Sequence, residues 1–229
     1  GKVTVNNYLG GTISGTTNGI SYGTNASNTV VENYGRIGSI YAADPSNALI
    51  SLNSTNGINI SAGNIAVNNR STGTISGTST SIRVTGGTGI TITNFGGKGS
   101  TIGDPDDPND DSTSATTIYR TYSADITNHA TISGTTYSIH NNGSNASNTV
   151  VENYGRIGSI SALDSSNNTI FSYSPYAIAA SAGKITINNR SSGTMTGTNN
   201  NGSVYIHGTA SNCTITNEGT IGITNDLSA

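Results

Sequence analysis

Aliphatic and polar residues alternate along this chain in short runs, and each run ends on an asparagine. Counting back by two and by four from Asn7, Asn33, Asn69, Asn94, Asn128, Asn153, Asn189 and Asn217 gives Val5 and Val3, Val31 and Thr29, Val67 and Ile65, Ile92 and Ile90, Ile126 and Ala124, Val151 and Thr149, Ile187 and Ile185, and Ile215 and Cys213. The intervening residues, Asn6, Glu32, Asn68, Thr93, Thr127, Glu152, Asn188 and Thr216, are all polar. Successive side chains of a strand point to opposite faces, so this is a half-buried strand written eight times. Each asparagine has the parity of the inward face and stands where the strand gives way to a turn.

The asparagines are 26, 36, 25, 34, 25, 36 and 28 residues apart. Recurrence at such intervals is the mark of a solenoid. A glycine-containing turn follows most anchors, then a second strand carrying Ile13, Ile37, Ile75, Ile102, Ile132, Ile157, Met195 and Ile221. A third strand is visible at 19–22, 81–84, 137–140 and 204–207. The expectation is an all-β fold, a parallel β-helix of about eight coils with three short strands each. Buried amides need partners, and stacked asparagines can bond one another at the strand spacing, so the eight anchors predict an internal asparagine ladder at a corner. The longer intervals hold extra segments, 48–52 and 169–173, which are either loops or an added strand.

A longer period overlies the first. Residues 25–40, NASNTVVENYGRIGSI, return unchanged at 145–160, and 61–78 return at 181–198 with 12 of 18 positions identical. The chain therefore reads as one continuous solenoid in two tandem blocks of four coils, 1–120 and 121–229, with an acidic loop at 103–112 near the end of the first.

Composition refines this picture. Hydrophobic residues are only 32%, but charged residues are 9% and the net charge is −3, with isoleucine, valine and threonine abundant. Disorder calls for high charge and few β-branched residues, whereas a thin solenoid needs few core residues per coil. There is no transmembrane run, and no basic stripe that would predict nucleic acid as a partner. The chain starts at Gly1 without an initiator methionine or signal peptide, which reads as a mature or excised piece. Both ends fall inside repeats, so the terminal coils are expected to be covered by more chain, another subunit or a partner.

Candidate chemistry is sparse. His129, His140 and His207 lack metal-ligand spacing, and no nucleophile elbow, phosphate loop or zinc pattern occurs. Cys213, the single cysteine, takes an inward slot and reads as a small buried hydrophobe. Glu32 with Arg36, recurring as Glu152 with Arg156, reads as a weak surface ion pair across a corner. Asp104, Asp106, Asp107, Asp110 and Asp111 crowd one loop with Asn109. That loop reads first as a solvated junction; calcium, which takes six to eight oxygen ligands, is the alternative cofactor. No other cofactor is expected.

Val-Asn-Asn-Arg-Ser-Thr-Gly-Thr-Ile-Ser-Gly at 67–77, Ile-Thr-Asn-His-Ala-Thr-Ile-Ser-Gly at 126–134 and Ile-Thr-Asn-Glu-Gly-Thr-Ile-Gly at 215–222 resemble the I-x-N-x-G-x-I-x-G repeats of bacterial autotransporter passenger domains. The resemblance covers nearly the whole chain. It implies a right-handed β-helix at the cell surface, attached to the bacterial outer membrane, without a catalytic residue to carry over. The expected function is non-catalytic: a structural or adhesive module acting by self-association, fibre formation or contact with a host or neighbouring cell, with no membrane insertion by this segment. The alternative is a carbohydrate-active β-helix enzyme or a tailspike-like polysaccharide-binding protein. An ice-binding solenoid is less favoured, because only Thr91/Thr93 and Thr214/Thr216 give the outward Thr-x-Thr such a face requires.

Overall fold

The computed structural model describes residues 2–23, 26–43, 49–52, 54–95, 101–102, 116–134, 136–145, 148–158, 160–163, 169–172, 175–198, 202–207 and 209–223. Among them there is no helix. The strands form three long parallel sheets, of eight, eight and seven members, and two small antiparallel pairs. In each long sheet every strand pairs with its counterpart one coil away, which defines a parallel β-helix solenoid.

The first sheet contains the alternating runs: Thr4–Asn7, Thr29–Asn33, Ile65–Asn69, Ile90–Asn94, Ala124–Asn128, Thr149–Asn153, Ile185–Asn189 and Thr214–Asn217. These strands number the coils from one to eight. Their register is unbroken, with Val5, Val31, Val67, Ile92, Ile126, Val151, Ile187 and Ile215 in one column. At about 4.8 Å per step the sheet is about 34 Å long. The second sheet, strands of two to four residues, aligns Ile13, Ile37, Ile75, Ile102, Ile132, Ile157, Met195 and Ile221 as the sequence predicts. The third sheet comprises Asn18–Tyr22, Asn56–Ile60, Thr80–Val84, Thr116–Tyr122, Tyr137–Asn145, Tyr176–Ala180 and Val204–Ile206. Three of these, in coils two, four and six, extend the third strands legible in the sequence. Thr116–Tyr122 runs across the 120/121 junction, so the sheets pass between the blocks without a break.

The core is a stack of aliphatic columns. Val31, Ile37 and Ile58 in the second coil, and Val67, Ile75 and Ile82 in the third, have no exposed surface. Among the described residues the first and eighth coils have one neighbouring coil each, and Val3 and Ile215, inward by parity, are 48% and 44% exposed.

The two long intervals resolve into hairpins. Ile40–Ala43 pairs antiparallel with Leu49–Leu52, and Ile160–Leu163 with Thr169–Ser172. Each leaves the solenoid between its second and third sheets, in coils two and six. The first is pinched at its base, where the Ser54 N–H donates to Ser39 Oγ at 3.1 Å and the Ser39 hydroxyl donates to Ser54 O at 3.1 Å. The polar main chain of the coil is therefore closed across the insertion, and the core beneath it stays continuous.

Candidate binding face

The asparagine ladder is complete. Nδ2 of Asn7 donates to Oδ1 of Asn33 at 2.8 Å, and the same bond links Asn33 to Asn69, Asn69 to Asn94, Asn94 to Asn128, Asn128 to Asn153, Asn153 to Asn189 and Asn189 to Asn217, at 2.8–3.0 Å. The second amide proton goes to main chain, for example from Asn33 to Thr74 O at 3.0 Å and from Asn69 to Gly73 O at 2.8 Å. Asn33, Asn69, Asn94, Asn128, Asn153 and Asn189 have no exposed surface. Such amides hold the corner and have no free edge to offer a ligand.

The residue after each ladder asparagine turns outward. In coil order these are Tyr8, Tyr34, Arg70, Phe95, His129, Tyr154, Arg190 and Glu218. Arg70 lies 4.1 Å from the Phe95 ring centroid, His129 stacks on Tyr154 at 4.6 Å, and Arg190 Nη1 is 3.7 Å from Glu218 Oε1. This column corrects one sequence expectation. The cation that meets Glu32 is Arg70, at 2.5 Å, rather than Arg36, and Asn68 donates to the same carboxylate at 2.7 Å. In the second block Glu152 pairs with Arg190 at 2.8 Å and Asn188 at 2.6 Å, rather than with Arg156. Glu32 faces outward from the first sheet, whereas Arg36 opens the second sheet beyond the corner. Register brings Asn68 directly beside Glu32 and Arg70 just past the turn. Burial pushes the Glu32 carboxyl up, but hydrogen bonds from Arg70 and Asn68 and the charge of Arg70 outweigh it and hold the carboxyl below its ordinary value. The pair is partly solvated, so it stabilises by about 0.5 kcal/mol.

Cys213 is partly buried and packs at the edge of the core in the last coil, near the place its parity predicts. Asp104, Asp106, Asp107, Asp110 and Asp111 lie outside the described residues. Among the described residues no three His, Cys, Asp or Glu side chains come together as a metal group.

The third sheet carries what sequence reasoning overlooked. Its outward column runs Ser21, Asn59, Arg83, Tyr119, His140, Ala179, Tyr205. At the adjoining corner Tyr137 pairs with Tyr176. The rings meet in sequence: Tyr119 to His140 at 5.7 Å, His140 to Tyr137 at 4.4 Å, Tyr137 to Tyr176 at 5.8 Å, Tyr176 to Tyr205 at 5.1 Å and Tyr205 to His207 at 6.3 Å. These are aromatic-pair distances. His140 Nε2 also bonds the Ser181 hydroxyl at 3.0 Å, and Asn142 donates to the Tyr119 hydroxyl at 3.3 Å. Burial and the nearby Arg120 charge push the His140 pKa down to about 4, so His140 is neutral at pH 7.

Behind this row the interior is unusual. The inward column of the third sheet is Tyr22, Ile60, Val84, Arg120, Asn141, Ala180, Ile206. Arg120 has no exposed surface, and its Nη1 donates to Ala124 O at 3.0 Å. Its Nε and Nη2, and Oδ1 of Asn141, have no partner among the described residues. Desolvation pushes the guanidinium pKa down to about 9, against the opposing charge of Asp125. It remains a cation at pH 7, and a buried cation with unpaired donors is costly. Arg120→Met, which keeps the bulk and removes the unpaired donors, is expected to stabilise the chain by about 1–3 kcal/mol. Urea unfolding of the two proteins checks this; a lower midpoint for the variant would assign the guanidinium a stabilising role.

No protein-family profile, curated protein or solved structure matches the chain significantly. Geometry alone therefore assigns its class, an all-β parallel β-helix with an internal asparagine ladder.

Proposed function

We propose that the chain is a non-catalytic extracellular β-solenoid that acts in cell-surface adhesion or self-association. The observation that supports this reading is the repeated surface. Coils two and six each project a hairpin from the same corner, and each joins the next coil through the same outward clasp, Glu32 with Asn68 and Arg70, and Glu152 with Asn188 and Arg190. Four coil steps separate the two sets, about 19 Å along the axis. A stiff rod that offers one surface twice engages a repetitive partner with two contacts at once, and linking two contacts raises avidity by about 10²–10⁴ over one. The passenger-type repeats add a resemblance to proteins displayed at the bacterial outer membrane.

The test is to display the chain on cells and measure settling and attachment to like cells. The displaying cells should clump or attach. Replacing 40–53 by Gly-Gly, which joins Ser39 to Ser54 where they are already hydrogen-bonded, should reduce attachment by at least tenfold. Settling indistinguishable from that of cells lacking the protein would sink the adhesive reading.

A further inference from the structure

We infer that the ring row Tyr119–His140–Tyr137–Tyr176–Tyr205 is a binding platform for an uncharged glycan chain lying along the solenoid axis; this deepens the adhesive reading by naming a ligand class. The argument begins with the duplication. Coil five repeats coil one, coil six repeats coil two and coil seven repeats coil three, so each outward position of the third sheet has a counterpart. Tyr137 stands where the first block has Asn18, His140 where it has Ser21, Tyr176 where it has Asn56, and Tyr205 where it has Arg83. Elsewhere the blocks stay close, with residues 25–40 identical to 145–160. These four substitutions, three of them to tyrosine, share the third sheet.

Cohesion between coils does not require them. In the first block the corner pair is held by Asn56 Nδ2 donating to Asn18 Oδ1 at 2.9 Å. In the second block the same two register points hold rings stacked within 15° of parallel. Either device joins neighbouring strands, and cross-strand pairs of both kinds contribute modestly. What the rings add is a half-exposed apolar surface on the outside of a sheet, where water would favour amides. Tyr205 is 37% exposed.

The chemistry of the face selects the occupant. No carboxylate occupies the column from Tyr119 to Tyr205, Arg120 is enclosed behind it, and His140 is neutral at pH 7. A charged ligand therefore finds no counter-charge between Tyr119 and Tyr205; the exposed Arg83 stands one coil beyond that stretch. Ring surfaces alternate with hydroxyl, imidazole and amide groups: the phenols, His140 bonded to Ser181, and Asn142 beside Tyr119. A pyranose offers the matching pattern, an apolar C–H face with a rim of hydroxyls. Ala179, between His140 and Tyr205 in the column, is almost fully covered, so the groups around it close over that position. The row crosses three coil steps, about 14 Å, with one coil step comparable to one sugar residue of an extended chain.

The test uses the whole chain and a variant carrying Tyr137→Asn, His140→Ser, Tyr176→Asn and Tyr205→Arg. These are the residues the first block carries at the same places, so the fold tolerates them there; circular dichroism and the melting curve establish that it does so here. Titration calorimetry against maltotetraose, cellotetraose, laminaritetraose and chitotetraose should give saturable binding to at least one of them by the parent. Affinity should change less than twofold between 50 and 500 mM salt and fall at least tenfold in the variant. Absence of binding to all four, binding unchanged in the variant, or binding that collapses with salt would overturn the inference. So would a parent that dimerises through this face while the variant stays monomeric, because a second copy would then occupy the row. Cell attachment is scored in parallel: attachment that persists in the variant without glycan binding defeats the platform and leaves the adhesive reading standing, whereas loss of attachment in the parent defeats the adhesive reading itself.

Discussion

Replacing Asn69 with leucine should lower the unfolding free energy by about 3–5 kcal/mol. The leucine would fill the site but remove three hydrogen bonds: Asn33 Nδ2 to Asn69 Oδ1 at 2.8 Å, Asn69 Nδ2 to Asn94 Oδ1 at 3.0 Å, and Asn69 Nδ2 to Gly73 O at 2.8 Å. Asn94 Oδ1 and Gly73 O would lose an acceptor role in a place water does not reach, and each buried orphan costs about 1–3 kcal/mol. Asn217, at the exposed end of the ladder, is the internal control. Among the described residues its side chain only accepts, from Asn189, whose amide also donates to Gly193 and Thr220. Asn217→Leu should therefore cost less than about 1 kcal/mol. Urea midpoints for the two variants decide; equal shifts would mean that the amides contribute bulk rather than bonds.

The second large effect is expected at Gly38. It closes a second-sheet strand with φ of +105°, a left-handed conformation that side chains rarely adopt. A Cβ there would also run into the main-chain oxygen of Ser76 on the next coil. Gly158 repeats both features with φ of +118° and the oxygen of Thr196. Strain at such a conformation costs about 1–3 kcal/mol and overpacking against fixed backbone a similar amount. Gly38→Ala should thus destabilise by about 3–5 kcal/mol. Gly10 separates the two causes: its φ is +78°, but nothing lies within 4 Å of its would-be Cβ. Gly10→Ala should cost about 1 kcal/mol. If both substitutions cost the same, close approach between coils is not what demands glycine at position 38.

The first and second sheets were legible because their periodicity is simple. The first alternates strictly, and burial follows it, as in Ile65–Asn69, where Ile65, Val67 and Asn69 are buried and Ala66 and Asn68 are less so. The second is marked by one aliphatic residue per coil. The third sheet breaks the rule. In Asn56–Ile60 the residues Asn56, Gly57 and Ile58 are all buried, and Tyr176–Ala180 buries four in succession. The register skips Gly57, Ser81, Ser138 and Ala177, and Ala179 is covered although it stands in the outward column, so burial does not follow a period of two. That is why the strands of coils two, four and six were missed. The aromatic row was hidden for a different reason. Its members come from four strands, and only the register between coils places Tyr119 beside His140 and Tyr137 beside Tyr176. Comparing coils five to seven with coils one to three would have exposed the change from Asn18 and Asn56 to tyrosine. The Glu32 partner was misread because nearness in sequence lost to nearness in register: Arg70 is 38 residues away and one coil up.

The identity of 25–40 and 145–160 has a consequence for how the chain finds its structure. Coil two can accept the strand that belongs to coil six, within one molecule or between two, with first- and second-sheet contacts unchanged. Such a slip of four coils is the route to domain swapping in a tandem repeat. The third sheet is where the two halves cease to be interchangeable. Asn18 expects Asn56, and Tyr137 expects Tyr176. A crossed pairing would set an amide against a ring and lose both the hydrogen bond and the stack. The corner residues of the third sheet thus act as a key to coil order, proofreading an assembly that its own first sheet cannot tell apart.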